Sequence, residues 1–139
     1  MPSILSYRKY IDALVTREIN LPADENNQRI GTELATLDGV TFISLPDGVV
    51  LPTEQPVEIA ETIQPVEMVS ALRAAIADAS PHVQLIRQRV AEKIASHYST
   101  SDEIKLLRTA PSAEFEVYNA FVEDCRQWGR EEKAKLGLA

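Results

Sequence analysis

Two closely spaced Asp-Gly pairs constrain the fold of this 139-residue chain more than any other feature. They lie in TLDGVTFISLPDGVVLP, residues 36–52, where each pair borders apolar and β-branched residues. Asp-Gly between two such runs predicts a tight β turn, because both residues accept the positive φ angles of a two-residue hairpin loop. The sequence therefore predicts a small antiparallel β element here.

A turn at Asp38-Gly39 determines which residues face each other across the hairpin. Counting outward from the turn, the predicted pairs are Leu37 with Val40, Thr36 with Thr41, Ala35 with Phe42, and Leu34 with Ile43. Because side chains alternate along a strand, the first and third pairs should share one face, and the second and fourth pairs the other.

A second turn is predicted at Leu45-Pro46-Asp47-Gly48, where proline sets φ and glycine supplies a positive φ. It should lead into a third short strand, residues 49–51, which would complete a meander. The next segment, residues 52–65, contains three prolines and predicts an extended connector rather than a long helix. A meander of this size is marginal alone, so it must pack on other elements.

Helical patterns occupy most of the remaining chain. Apolar residues at helical spacing predict a short N-terminal helix over residues 3–17. After the connector, capping residues and apolar periodicity predict three or four helices: one over 65–79, one starting at Ser80-Pro81, a short one capped by Thr100 and Glu103, and a long one over 113–136.

These elements together predict an α+β fold. It consists of a short N-terminal helix, a small antiparallel β meander and a C-terminal bundle of three or four helices. Residues 1–64 form an acidic N-terminal segment with the meander, and residues 65–139 form the helical portion. We expect the two parts to make one folded unit.

The charge of the chain argues against nucleic-acid binding. Net charge is −7, with 4 Lys/Arg and 10 Asp/Glu in residues 1–65 and 10 against 11 in residues 66–139. Neither half offers the basic stripe that a phosphate backbone requires. The acidity fits either solubility or a partner with a basic face.

The chain also lacks the patterns of membrane and exported proteins. There is no run of 18 or more apolar residues, and MPSILSYRKYIDA lacks the features of a signal peptide. A single cysteine, Cys125, excludes an internal disulfide framework. We therefore expect no membrane partner and synthesis in the cytoplasm.

No motif predicts an active site. His82 and His97 are not at metal-ligand spacing, and the glycines form no phosphate-binding loop. Cys125 lies on an apolar seam, where a free cysteine usually packs as a small hydrophobe, although a Cys125–His97 nucleophile pair stays open. The sequence thus predicts a protein that is not an enzyme, with no catalytic, metal or cofactor-binding residues.

The long helix over 113–136 has two apolar strips. Phe115, Tyr118, Val122 and Cys125 recur at spacings of 3, 4 and 3 and form a heptad-like seam. Beside it lies a second strip, formed by Val117, Phe121 and Trp128. Aromatic residues dominate interface hot spots, so this strip is a candidate protein interface; packing of Trp128 in the core is the open alternative.

The order of these segments resembles that of small proteins encoded among the tail and tail-fibre genes of tailed bacteriophages. The resemblance covers residues 31–139 and rests on LDGVTFISLPDGVVLP, the proline-rich connector, ALRAAIADA and, most strongly, FEVYNAFVEDCRQWGREEKAKLGL.

This resemblance implies a non-enzymatic structural or assembly protein of a bacteriophage tail, associated with the tail, the baseplate or a tail fibre. Such a protein would be made in the host cytoplasm, reside in the virion tail and contact other phage tail proteins as part of an oligomer or larger assembly. The alternative function is a small acidic phage-encoded inhibitor that binds a host protein through complementary charge.

Overall fold

The computed structural model describes residues 2–138, which form an α+β fold with a four-stranded antiparallel sheet and five helices. The predicted fold class is therefore confirmed. In chain order the elements are β1 (Ser3–Tyr7), β2 (Thr32–Leu37), β3 (Val40–Leu45), α1 (Val57–Ala60), β4 (Gln64–Pro65), α2 (Ser70–Ala79), α3 (Pro81–Ala95), α4 (Thr100–Arg108) and α5 (Ala113–Lys135).

The predicted hairpin forms around Asp38-Gly39. Asp38 has φ 50° and Gly39 has φ 79°, as a type I′ turn requires. The three predicted pairs nearest the turn are confirmed. The hydroxyls of Thr36 and Thr41 lie 2.9 Å apart, so a hydrogen bond satisfies the fully buried Thr41 side chain.

A β-bulge shifts the fourth predicted pair. Ile43 pairs with Glu33 rather than with Leu34, because the register changes between Glu33 and Ala35. Leu34 and Ala35 consequently enter the same core cluster, and Leu34 is fully buried there. The Leu34–Ile43 prediction is wrong because strict alternation cannot anticipate an extra residue in one strand.

The predicted N-terminal helix over residues 3–17 is absent. Its first part is strand β1, which pairs antiparallel with β3, and the rest contains turns and an isolated bridge between Tyr10 and Thr16. Leu14, expected on the apolar helix face, is 94% exposed. Pairing with the open edge of β3 satisfies the backbone hydrogen bonds of β1 and buries Ile4 and Tyr7. These gains outweigh the preference for a helix that the spacing of apolar residues suggests.

The predicted third hairpin strand, residues 49–51, does not form either. The second turn is present, with φ 78° at Gly48 and a 3.1 Å bond from the Val49 amide to the Pro46 carbonyl. However, the strand order is β2-β3-β1-β4, so both edges of β3 are already paired. The chain therefore leaves the sheet, and Val50 is exposed.

The proline-rich connector brings the chain back to the far edge of β1. It contains one helical turn, α1, and the two-residue strand β4, whose residues pair with Leu5 and Ser6. Ile59 of α1 is fully buried. As predicted, the connector holds no long helix.

Two of the later helices begin where the sequence predicts. α3 follows Ser80, whose Oγ accepts a long bond of 3.5 Å from the Val83 amide, and Pro81 occupies its first turn. α5 follows Ser112, whose Oγ accepts a 3.1 Å bond from the Phe115 amide.

The starts of α2 and α4 differ from prediction. α2 begins at Ser70 rather than Pro65, because Pro65 belongs to β4 and the next residue, Val66, donates its amide to the Ile4 carbonyl at 2.9 Å. The capping box of α4 is formed by Ser99 and Asp102, one residue before the predicted pair.

The sheet separates two apolar clusters. The first lies under α2 and α3 and contains Ile4, Leu34, Ala35, Phe42, Ile76, Ala77, Val83 and Leu138. The second lies on the opposite face, where loops and α1 cover the strands, and contains Tyr7, Ile19, Ile43 and Ile59. Alternation along β3 places Phe42 in the first cluster and Ile43 in the second, so this strand is buried on both faces.

The end of α5 is anchored to the first cluster. Gly137 has φ 77°, the Leu138 amide donates to the Lys133 carbonyl at 3.0 Å, and the Gly137 amide donates to Ala134 at 3.0 Å. This is a Schellman cap. It turns Leu138 into the core beside Ile4, whose Cδ1 would lie only 3.0 Å from a Cβ on Gly137.

The capping box of α4 provides a matched pair of substitutions. Ser99→Ala removes the acceptor of the Asp102 amide, which lies 3.1 Å away, and should lower the free energy of unfolding by about 1 kcal/mol. Thr100→Ala, at the neighbouring exposed residue, should change it by less than about 0.5 kcal/mol. Urea unfolding followed by circular dichroism measures both; equal effects would contradict the assignment of the cap.

The stability that this capping box contributes should depend on pH. The Ser99 amide donates to Asp102 at 3.0 Å, and this bond, with that of the Ser99 side chain, lowers the pKa of the Asp102 carboxyl. Its stabilising effect is therefore fully present above the unfolded-state pKa of about 3.9 and is lost as the pH falls through the lower folded-state value. Asp102→Asn should flatten this part of the pH–stability curve.

Candidate protein-binding surface

The candidate surface is built where α5 packs along α3. The two helices run antiparallel, since Phe121 contacts His97 near the end of α3 whereas Gly129 faces Val90 and Ile86 earlier in α3. A Cβ on Gly129 would lie 2.8 Å from Val90 Cγ2. The absence of a side chain at this position therefore allows the two helices to approach closely.

Aromatic rings fix the position of α5 against the end of α3. The rings of His97 and Phe121 have centroids 4.4 Å apart, and Tyr98 meets Tyr118 edge to face at 4.9 Å. The ring centroids of Tyr98 and Phe121 are 5.7 Å apart. Such pairs add to the free energy of packing beyond the apolar area that they bury.

Tyr118 connects α5 to α4. Its hydroxyl donates to Glu103 Oε2 at 2.9 Å. Burial of the ring and this bond to a carboxylate raise the pKa of Tyr118, because both favour the neutral phenol. Of the four residues of the predicted seam, Tyr118, Val122 and Cys125 are buried and Phe115 is half-buried.

Trp128 lies beside a recess of about 280 Å³ between the two helices. The ammonium of Lys93 is 3.8 Å from the centroid of the Trp128 ring, within the range of a cation–π interaction. Lys93, His97, Phe121 and Cys125 also line the recess. The indole is half-buried, so one part of it packs on α3 and another part remains open.

The three residues of the predicted interface lie on one face of α5, with Phe121 and Trp128 next to the same recess. Val117 lies one helical turn before Phe121, outside the recess, and is 65% exposed. Phe121 packs on His97 and Trp128 packs on Lys93, and both rings stay partly accessible. Their role as an interface remains a prediction.

The sequence did not identify the α3 side of this surface. Lys93 lies on α3 and His97 lies in the turn just after it; they are four residues apart, the spacing of neighbours on one helical face. This spacing was the available signal. What the spacing alone could not show is that α3, rather than α2 or α4, packs against this part of α5.

The recess also contains the two residues of the nucleophile pair that the sequence left open. Cys125 and His97 both line it, yet among the described residues no hydrogen bond joins their side chains. His97 Nδ1 instead lies 2.9 Å from Ser96 Oγ. Within residues 2–138, no three His, Cys, Asp or Glu side chains are grouped to hold a metal ion.

No family model, curated protein or solved structure matches the chain. In the described part of the chain, no helix has both the length and the apolar content needed to cross a membrane.

Gly129→Ala tests the close approach that forms this surface. Alanine favours a helix over glycine by about 1 kcal/mol, so an unpacked helix would gain stability. Here the added methyl group would meet Val90, and we expect a loss of about 1–3 kcal/mol in the free energy of unfolding.

Val90→Ala supplies the control for this substitution. It opens space opposite residue 129, so the double variant should be more stable than the sum of the two single effects predicts, by about 1 kcal/mol. Thermal or urea unfolding of all four proteins gives this coupling energy. Additive effects would show that the two helices are not in contact at this point.

Proposed function

We propose that this chain is a non-enzymatic structural or assembly protein of a bacteriophage tail, which binds other tail proteins through Val117, Phe121 and Trp128. The observation that carries the proposal is a half-exposed aromatic pair on the longest helix, with an exposed valine on the same face. The likeness of the segment order to that of tail and tail-fibre proteins supplies the biological setting.

Aromatic rings that already pack on neighbouring side chains support a binding role. Phe121 packs on His97, and the Lys93 ammonium lies over the Trp128 ring, so each ring has lost part of its freedom before a partner binds. This lowers the entropic cost of association. Aromatic residues next to a recess, with a partly exposed edge, are also the residues that most often dominate the energy of an interface.

A substitution at Val117 best distinguishes an effect on binding from an effect on folding. Because its side chain is already 65% exposed, burying it against a partner would remove apolar surface from water, whereas changing it should affect the isolated fold little. Trp128 and Phe121 do not offer this separation, since both also pack on α3.

The test substitutes Val117→Asp, with Val50→Asp as the matched control. Val50 is 80% exposed and lies just after the second β turn, outside α5. We expect both variants to unfold within about 0.5 kcal/mol of the unchanged protein. Only Val117→Asp should lose binding to co-expressed tail proteins, by at least about tenfold in Kd.

The location of the protein distinguishes the possible roles. Mass spectrometry of purified phage particles measures its copies relative to the major tail protein. A fixed low-integer ratio indicates a virion component, and absence from particles with tail-protein binding in infected cells indicates an assembly protein. A chain that binds no tail protein but binds a host protein, with affinity falling steeply as salt rises, would instead be an inhibitor.

A further inference from the structure

A second surface lies on another side of the α3–α5 pair. It is a groove of about 270 Å³ with an apolar floor formed by Ile86, Val90 and Gly129. Its rim is made of four cationic side chains: Arg87, Arg126, Arg130 and Lys133. The three rim residues on α5 lie on a different face of that helix from Phe121 and Trp128. The groove is therefore separate from the recess beside Trp128.

The groove remains cationic after its own ion pairs are considered. Arg126 and Arg130 share one carboxylate, Glu123, at 3.2 and 3.7 Å. Arg87 contacts Asp78 at 3.4 Å. Four cations thus face two carboxylates in a chain whose net charge is −7, and the surplus attracts an acidic segment with an apolar centre.

The same chain presents a segment of this description around α1. Val57 is 87% exposed, and the neighbouring Glu54, Glu58 and Glu61 are exposed as well. The segment is held in place because Ile59 is fully buried in the second core cluster. Only Glu58 has an ion pair among the described residues, with Arg17 at 3.4 Å.

The groove and the acidic segment belong to elements that pack on opposite faces of the sheet. α1 covers the second cluster through Ile59, whereas α3 covers the first cluster through Val83. The sheet of one molecule therefore lies between α1 and the part of α3 that packs on the first cluster. A second copy of the chain can bring its segment to the groove.

We propose that the groove binds the segment 54–61 of a second copy of this chain, with Val57 on the apolar floor and the flanking glutamates on the cationic rim. Because the two surfaces differ, the contact is head to tail. Repetition of such a contact produces a ring if the rotation closes and a filament if it does not. The inference is independent of the proposed tail function.

The test is a charge exchange measured by sedimentation at low and high salt. In one variant, Arg126→Glu and Lys133→Glu make the groove acidic; in the other, Glu54→Arg and Glu61→Arg make the segment basic. Each variant alone should associate at least about tenfold more weakly than the unchanged protein, since its two surfaces then repel. An equimolar mixture should associate again, because the acidic groove of the first meets the basic segment of the second.

Controls separate this contact from general charge effects. Lys105→Glu with Arg108→Glu on α4 changes net charge as much as the groove variant but lies outside both surfaces, and self-association should persist. Self-association of the unchanged protein should weaken between about 0.05 and 0.5 M salt, since these charges are exposed. Val57→Lys tests the contact from the segment side and should also abolish association, without relying on the fold of α5.

Three results would overturn the proposal. The first is an unchanged protein that stays monomeric at millimolar concentration and low salt. The second is self-association that neither charge variant nor Val57→Lys weakens. The third is folded single variants, as judged by circular dichroism, that do not associate when mixed.

Discussion

The pairing of β1 with β3 is the interaction on which the rest of the structure depends. The Asp38-Gly39 hairpin by itself would leave one edge of β3 open and both of its faces incompletely covered. Once β1 occupies that edge, β3 becomes an interior strand and no position remains for residues 49–51 in the hairpin. β1 also offers its own second edge to β4, and this determines where the proline-rich connector rejoins the sheet.

A sheet with two covered faces assigns the other elements to two layers. Phe42 points toward α2 and α3, and Ile43 points toward the loops and α1. The bulge next to Leu34 increases the apolar content of the helical side, since both Leu34 and Ala35 enter that cluster. Leu138 closes the same cluster and connects the end of α5 to the sheet, so α5 is anchored both along α3 and at its last turn.

Packed in this way, α5 presents two chemically different surfaces, the recess beside Trp128 and the cationic groove. One face carries Phe121 and Trp128 over the aromatic end of α3, and another carries the cations around Gly129. The first surface is apolar and suits a partner with matching shape; the second is cationic and suits a carboxylate-rich segment.

Local patterns determined much of this protein without tertiary information. The type I′ turn, the first three hairpin pairs, the starts of α3 and α5, and the buried seam through Tyr118 each follow from a few neighbouring residues, and the sequence predicts them. Tertiary structure alone decided the conformation of residues 3–7, because their helical spacing was overridden by the open edge of β3, about 35 residues along the chain. It also decided that Lys93 and His97 complete the surface around Trp128, since helix periodicity specifies which side chains share a face but not which helix that face will meet.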